Sequence, residues 1–99
     1  MRDLQGKWAL VTGASSGFGV DFSCLLAERG ANLVLVARRL QPMEELAIEL
    51  RRDFGVKVHV ESIDLSSPGA GAQLKSRLDG LSIEVQLLIN NAGYGMFGE

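Results

Sequence analysis

Thr12-Gly13-Ala14-Ser15-Ser16-Gly17-Phe18-Gly19 joins a short apolar run, Trp8-Ala9-Leu10-Val11, to a segment of helical period. Three glycines at a strand-to-helix turn let the backbone pass close to a ligand. The helix start adds unpaired N–H groups and the positive end of a dipole, so an anionic pyrophosphate is the natural guest. The spacing is G-x-x-x-G-x-G, which differs from the G-x-G-x-x-G of the best-known dinucleotide turn. The same glycines would also serve a tight turn and close helix packing with no ligand at all. Their position after a strand and before an amphipathic segment favours the phosphate reading.

Outward from this turn, apolar runs alternate with helical periods, the pattern of a β-α-β-α chain with a parallel sheet. From Gly17 to Arg29, Phe18, Phe22, Leu25 and Leu26 recur at helical spacing, and Gly30 stands where a left-handed cap is expected. Asn32 to Ala37 is a second strand. A second helix is expected to start near Pro42, with Glu44 and Glu45 in its first turn, Arg51 and Arg52 in its last, and Gly55 closing it. Those charges would complement the helix dipole. Leu46, Leu50 and Phe54 form its inward stripe. Val56 to Ile63 reads as a third strand, Ser66-Ser67-Pro68 as the N-cap of a weaker helix carrying Leu74 and Leu78, and Val85 to Asn90 as a fourth strand.

The strands differ in pattern. The first, second and fourth are apolar almost throughout, as strands covered on both faces are, whereas the third alternates Val56, Val58, Val60 with Lys57, His59, Glu61. This places the third strand at an edge. Right-handed crossovers then give the order 3-2-1-4, the first half of a doubly wound, Rossmann-type α/β sheet. The fourth strand becomes the other edge, yet Val85-Gln86-Leu87-Leu88-Ile89 lacks the charges or prolines that protect one. Residues 1–99 are therefore expected to be the N-terminal part of a single dinucleotide-binding domain, incomplete on its C-terminal side. A homo-oligomer is expected.

Composition narrows the partners. The 99 residues carry 10 Lys+Arg against 12 Asp+Glu, a net charge of -2, without the basic stripe that attracts nucleic acid. A lone Cys24 and a lone His59 rule out an internal disulfide and a His/Cys metal cluster. The longest apolar run, Leu33 to Ala37, is far too short to span a membrane, and a cytoplasmic location is expected. Neither Cys24 nor His59 reads as catalytic.

With Thr12 to Gly19 and, after the fourth strand, Asn90-Asn91-Ala92-Gly93, the chain resembles the short-chain dehydrogenases/reductases, whose T-G-x-x-x-G-x-G and N-N-A-G motifs occur in this order. The resemblance covers nearly the whole chain and implies cofactor contacts at Gly13, Ser15, Ser16, Gly17, Phe18 and Gly19. It also implies that Asp64 and Leu65 lie near the adenine, and that Asn91, Ala92 and Gly93 line the cofactor and brace the sheet. NAD users of the family carry an acidic residue at the end of the second strand. Here that position is Ala37, followed by Arg38 and Arg39. A guanidinium there suits a 2′-phosphate, so NADP is favoured over NAD. The family's other basic site, before the middle glycine, is Ser16 in this chain.

The resemblance further implies hydride transfer between NADP(H) and a small-molecule alcohol or ketone. That chemistry depends in the family on a serine and a Tyr-x-x-x-Lys pair. Tyr94 is the only tyrosine, and Gly98 stands four residues on, so the 99 residues contain no catalytic candidate. The reading is thus the cofactor-binding half of an NADP-preferring oxidoreductase, inactive by itself. The alternative is a free-standing nucleotide-binding or oligomerisation module.

Overall fold

The computed structural model describes residues 2–91, in the order β1 (Trp8–Thr12), α1 (Gly17–Glu28), β2 (Asn32–Ala37), α2 (Leu40–Phe54), β3 (Val58–Ser62), α3 (Ala70–Gly80) and β4 (Val85–Asn90). The strands form one parallel sheet in the order β3-β2-β1-β4, as expected. Parallel neighbours need crossovers, and each helix supplies one. Alternation along the strands divides the core. Ala9, Val11, Leu33 and Leu35 face α1 and α2, whose Ala27, Met43, Leu46 and Leu50 bury against them. Leu10, Val34 and Val36 face the opposite way and form a smaller cluster with Leu74 and Leu78 of α3, against which Trp8, Ile63, Leu65, Ile83 and Val85 pack partly buried. The second face is accordingly the thinner one.

Four expectations are corrected. In α1 the apolar stripe points inward only in part: Leu26 packs against the core, but Phe18 is 73% and Leu25 57% exposed, while Gly19, Ser23 and Ala27 are buried. The helix lies closest to the glycine turn at Gly19, and its fully buried positions are small residues, with Val20, Cys24 and Leu26 packing partly buried beside them. Ser23 adds a buried bond from its hydroxyl to the Gly19 carbonyl at 2.7 Å. Second, α2 starts near Pro42 as expected, but at Leu40, so Glu44 and Glu45 fall beyond its first turn. Pro42 is still accommodated, because the first turn of a helix needs no N–H from it. Gly55 does close α2 in the left-handed conformation, at φ 68°.

Third, α3 is not capped by Ser66 or Ser67. Its cap position is Gly69, with no side-chain bond, and Ser66 instead bonds back to Asp64. Fourth, the polar side of β3 is not all exposed. Glu61, expected on the polar side of β3, is buried at 6% exposure, because His59 Nε2 lies 2.7 Å from one carboxylate oxygen and Arg77 of α3 donates to the other at 2.8 Å. A buried carboxylate is tolerable when it is paired in this way. β4, apolar in pattern and expected as the sheet's other edge, takes that place and alternates half-buried and exposed residues, with Leu88 44% exposed.

Candidate cofactor-binding site

The C-terminal ends of β1, β2 and β3 open onto a cleft of about 280 Å³, where a doubly wound sheet reverses its strand order. Gly13, Ser15 and Ser16 form one wall, Val36 and Ala37 the floor, Arg38 and Arg39 the far rim, and Ile63, Leu65 and Asn91 the remaining sides. Seven of the residues assigned from the sequence therefore meet in one place: Gly13, Ser15, Ser16, Arg38, Arg39, Leu65 and Asn91.

The three turn glycines have different reasons to be glycine. Gly13 has φ 63°, a left-handed conformation costly for residues with a Cβ. Gly19 lies against the turn itself, where a Cβ would come within 2.2 Å of the Gly13 carbonyl oxygen. Gly17 has neither constraint: its φ is not positive and a Cβ there would meet nothing within 4 Å. The protein's own packing explains two glycines and leaves the third without a role inside the fold. Gly17 is exposed at the first position of α1, where helix N–H groups remain unpaired and an arriving phosphate would use the open space. The residues present therefore fit a dinucleotide pyrophosphate. Phe18, beside it, is exposed.

Side chains brace the turn. Ser16 caps α1: its hydroxyl donates to the Gly13 carbonyl at 2.9 Å and accepts from the Gly19 N–H at 3.4 Å. Asn91, just past β4, donates through Nδ2 to the same hydroxyl at 2.9 Å and to the Gly13 carbonyl at 3.3 Å. Thr12, fully buried, donates to Asn90 Oδ1 at 3.1 Å and so ties β1 to β4 beneath the turn. Both asparagines of the Asn90-Asn91 pair thus act as structural braces. Ala92 and Gly93 lie outside the described residues.

The opposite rim is electrostatic. Arg38 and Arg39 are exposed, and among the described residues neither has an acidic partner within ion-pair distance. Asp64 is turned partly to another task. Its Oδ1 accepts from the Ser66 hydroxyl at 2.6 Å and the Ser66 N–H at 3.0 Å, closing the turn after β3. The Ser66 hydroxyl above all, then the Ser66 N–H and the nearby Arg38 charge, hold its carboxyl below the usual carboxylate range. Asp64 lines a smaller neighbouring cavity with Ser62, Ser67 and Gln73 rather than the main cleft. Val36 and Ile63 were not foreseen as lining residues, although their places at the C-terminal ends of β2 and β3 could have signalled it. Cys24 is half-buried on α1, and burial pushes its thiol up from the usual range, away from the reactive thiolate.

A family model described as short chain dehydrogenase matches residues 7–99. The chain belongs to the short-chain dehydrogenase family. Human 17-beta-hydroxysteroid dehydrogenase type 3 is 39% identical over 89 residues, which are 90% of this chain and 28% of that protein. The structure of L-sorbose reductase from Gluconobacter frateurii, complexed with NADPH and L-sorbose, superposes with a TM-score of 0.85 at 35% identity, over 93% of this chain and 35% of that one. An NAD⁺-bound xylitol dehydrogenase gives 0.81 at 29% identity, again over 93% of this chain and 35% of that one. This short-chain dehydrogenase chain therefore spans about a third or less of the length of these relatives. Its family consists of oxidoreductases that bind NAD(P), and its fold is their Rossmann-type sheet.

Proposed function

We propose that this chain forms the adenosine- and pyrophosphate-binding part of an NADP-preferring oxidoreductase acting on a small-molecule alcohol or ketone. The observation that carries the reading is the contrast across the cleft. One wall is the glycine turn of Gly13, Ser15 and Ser16, which leads into the open Gly17 at the N-terminus of α1, and the other offers two arginines with no acidic partner among the described residues, beside Ala37 in place of a carboxylate. A carboxylate at Ala37 would repel a 2′-phosphate, whereas Arg38 can meet it with two parallel N–H donors.

When bound, the nicotinamide supplies or accepts the hydride. The residues of this chain do the holding. Gly17 admits the pyrophosphate to the N–H groups of α1, Ser15 flanks it, Arg38 grips the ribose phosphate, and Ala37, Ile63 and Leu65 give the adenosine an apolar seat. Ser16 and Asn91 keep the Gly13 carbonyl in place, which keeps the turn open. No proton-transfer role is assigned to these residues. The substrate class comes from the relatives, one of them a hydroxysteroid dehydrogenase and another a structure with L-sorbose.

Titration of the intact protein with NADPH and NADH tests the reading. Tighter binding of NADPH is expected. Equal affinities would overturn the NADP preference, and no binding of either would overturn the site.

A further inference from the structure

Ser62 is the last residue of β3 and stands outside the cleft, yet it touches the segment that sets the cleft's charge. The parallel ladder between β2 and β3 ends at the Ala37–Ser62 pair, with a final backbone bond from Ile63 N–H to the Ala37 carbonyl at 3.0 Å. Beyond that point β2 has left the sheet and α2 has not begun. The two residues that make this corner are Arg38 and Arg39. Arg39 occupies the cap position of α2 with an extended backbone, φ -96° and ψ 116°, and makes no side-chain capping bond. Among the described residues, one side-chain hydrogen bond reaches the corner from across the sheet: the Ser62 hydroxyl donates to the Arg38 carbonyl at 2.8 Å.

A carbonyl and the side chain of its own residue share one Cα, so fixing the peptide plane after Arg38 restricts the direction in which its guanidinium leaves the sheet. We propose that Ser62 is a positioning residue for cofactor choice: by holding the Arg38 carbonyl, it aims the guanidinium at the 2′-phosphate of the dinucleotide. The inference rests on the reading of Arg38 given above. It assigns Ser62 no contact with cofactor. What Ser62 contributes is pre-organisation, which strengthens a charge-assisted contact by reducing the freedom lost when it forms. An unphosphorylated dinucleotide makes no such contact and should be indifferent to Ser62.

The test is a double-mutant cycle in the intact protein, reading dissociation constants for NADPH and NADH by fluorescence titration. Ser62→Ala is expected to weaken NADPH binding by about 2- to 10-fold, the range of one neutral hydrogen bond, with NADH unchanged. Ser62→Thr, which keeps the hydroxyl, should restore the NADPH/NADH ratio. In an Arg38→Ala background the same Ser62→Ala change should have no further effect, because the group it positions is gone. Equal weakening toward both cofactors, no rescue by threonine, or an undiminished effect without Arg38 would each overturn the positioning role. Should Arg38→Ala shift the ratio while Ser62→Ala does not, only the role of Ser62 falls. Should Arg38→Ala leave the ratio unchanged, the NADP reading falls and takes this one with it.

Discussion

At the glycine turn, Ser16, Asn91 and the Gly13 carbonyl are tied together by hydrogen bonds from the ends of two different strands, whereas at the β2–α2 corner Arg38 and Arg39 project from backbone held across the sheet by the Ser62 hydroxyl. The first region is shaped by backbone and small side chains, and would meet the pyrophosphate that all dinucleotides share. The second works by side-chain charge, and would meet the one phosphate that distinguishes NADP from NAD. A rigid wall for the common part and an adjustable wall for the variable part allow cofactor choice to change without disturbing the fold. Substitutions at the turn should therefore move stability or affinity for both cofactors, and substitutions at the corner should move one affinity alone.

The largest effect is expected from Gly19→Val, because the new Cβ would overlap the Gly13 carbonyl oxygen at 2.2 Å and neither backbone can yield cheaply. Loss of about 3 kcal/mol or more of stability should appear in urea unfolding, with cofactor binding lost alongside. Gly17→Val breaks the comparison more cleanly. Its Cβ has open space, so the melting temperature should stay near that of the unchanged protein, while binding of NADPH and NADH is abolished together. A folded Gly17→Val protein that still binds either cofactor normally would show that the phosphate does not sit there.

Next comes Arg38→Ala, expected to cost about 1.5 to 3 kcal/mol in NADPH affinity by calorimetric titration, with NADH nearly unchanged. An equal loss for both would erase the distinction between the two walls. Asn91→Ala should cost about 1 kcal/mol of stability, by removing the donor shared between the Gly13 carbonyl and the Ser16 hydroxyl. Both cofactors should weaken in parallel, since the turn they share has loosened.

The smallest effect concerns acid. Ser66 holds the Asp64 carboxyl below its ordinary value of 3.8, so the folded state binds that proton less readily than the unfolded chain. The resulting stabilisation is fully present above the ordinary carboxylate range and fades as pH falls through the lowered value. Arg29 acts on Asp3, and Arg52 on Asp53, with the same sign. Thermal melts below about pH 4 should therefore drop, and Asp64→Asn should make the drop slightly shallower while leaving the neutral-pH melt little changed.

The fold was legible because its signals are local and redundant. β2 and β4 keep the bounds read from their apolar runs, and β1 gains only Thr12, while Gly30 and Gly55 take positive φ where helices were expected to end. The cleft was legible for a related reason, since the turn and the corner after β2 are each a few consecutive residues. What escaped was set by neighbours far along the chain. Phe18, Phe22 and Leu25 read as the apolar stripe of α1, but the fully buried positions of the helix are Gly19, Ser23 and Ala27. Glu61 read as a residue of the polar side of β3, and its burial is made tolerable by His59 on the same strand together with Arg77, which arrives from α3.

By itself the sequence determined the alternation of strands and helices, their order in the sheet, the place of the glycine turn and the absence of a carboxylate at Ala37. These follow from periodicity, from backbone conformations that glycine permits, and from the handedness of parallel crossovers, all of which act over short stretches. The tertiary structure alone decided which turn glycine is left without a packing role, that Asn91 braces Gly13 and Ser16 from 75 or more residues away, and that Ser62 reaches the Arg38 carbonyl. The physical reason is that a clearance of 2.2 Å or a hydrogen bond of 2.8 Å exists only once separate elements have packed, and no residue carries that distance in its own identity.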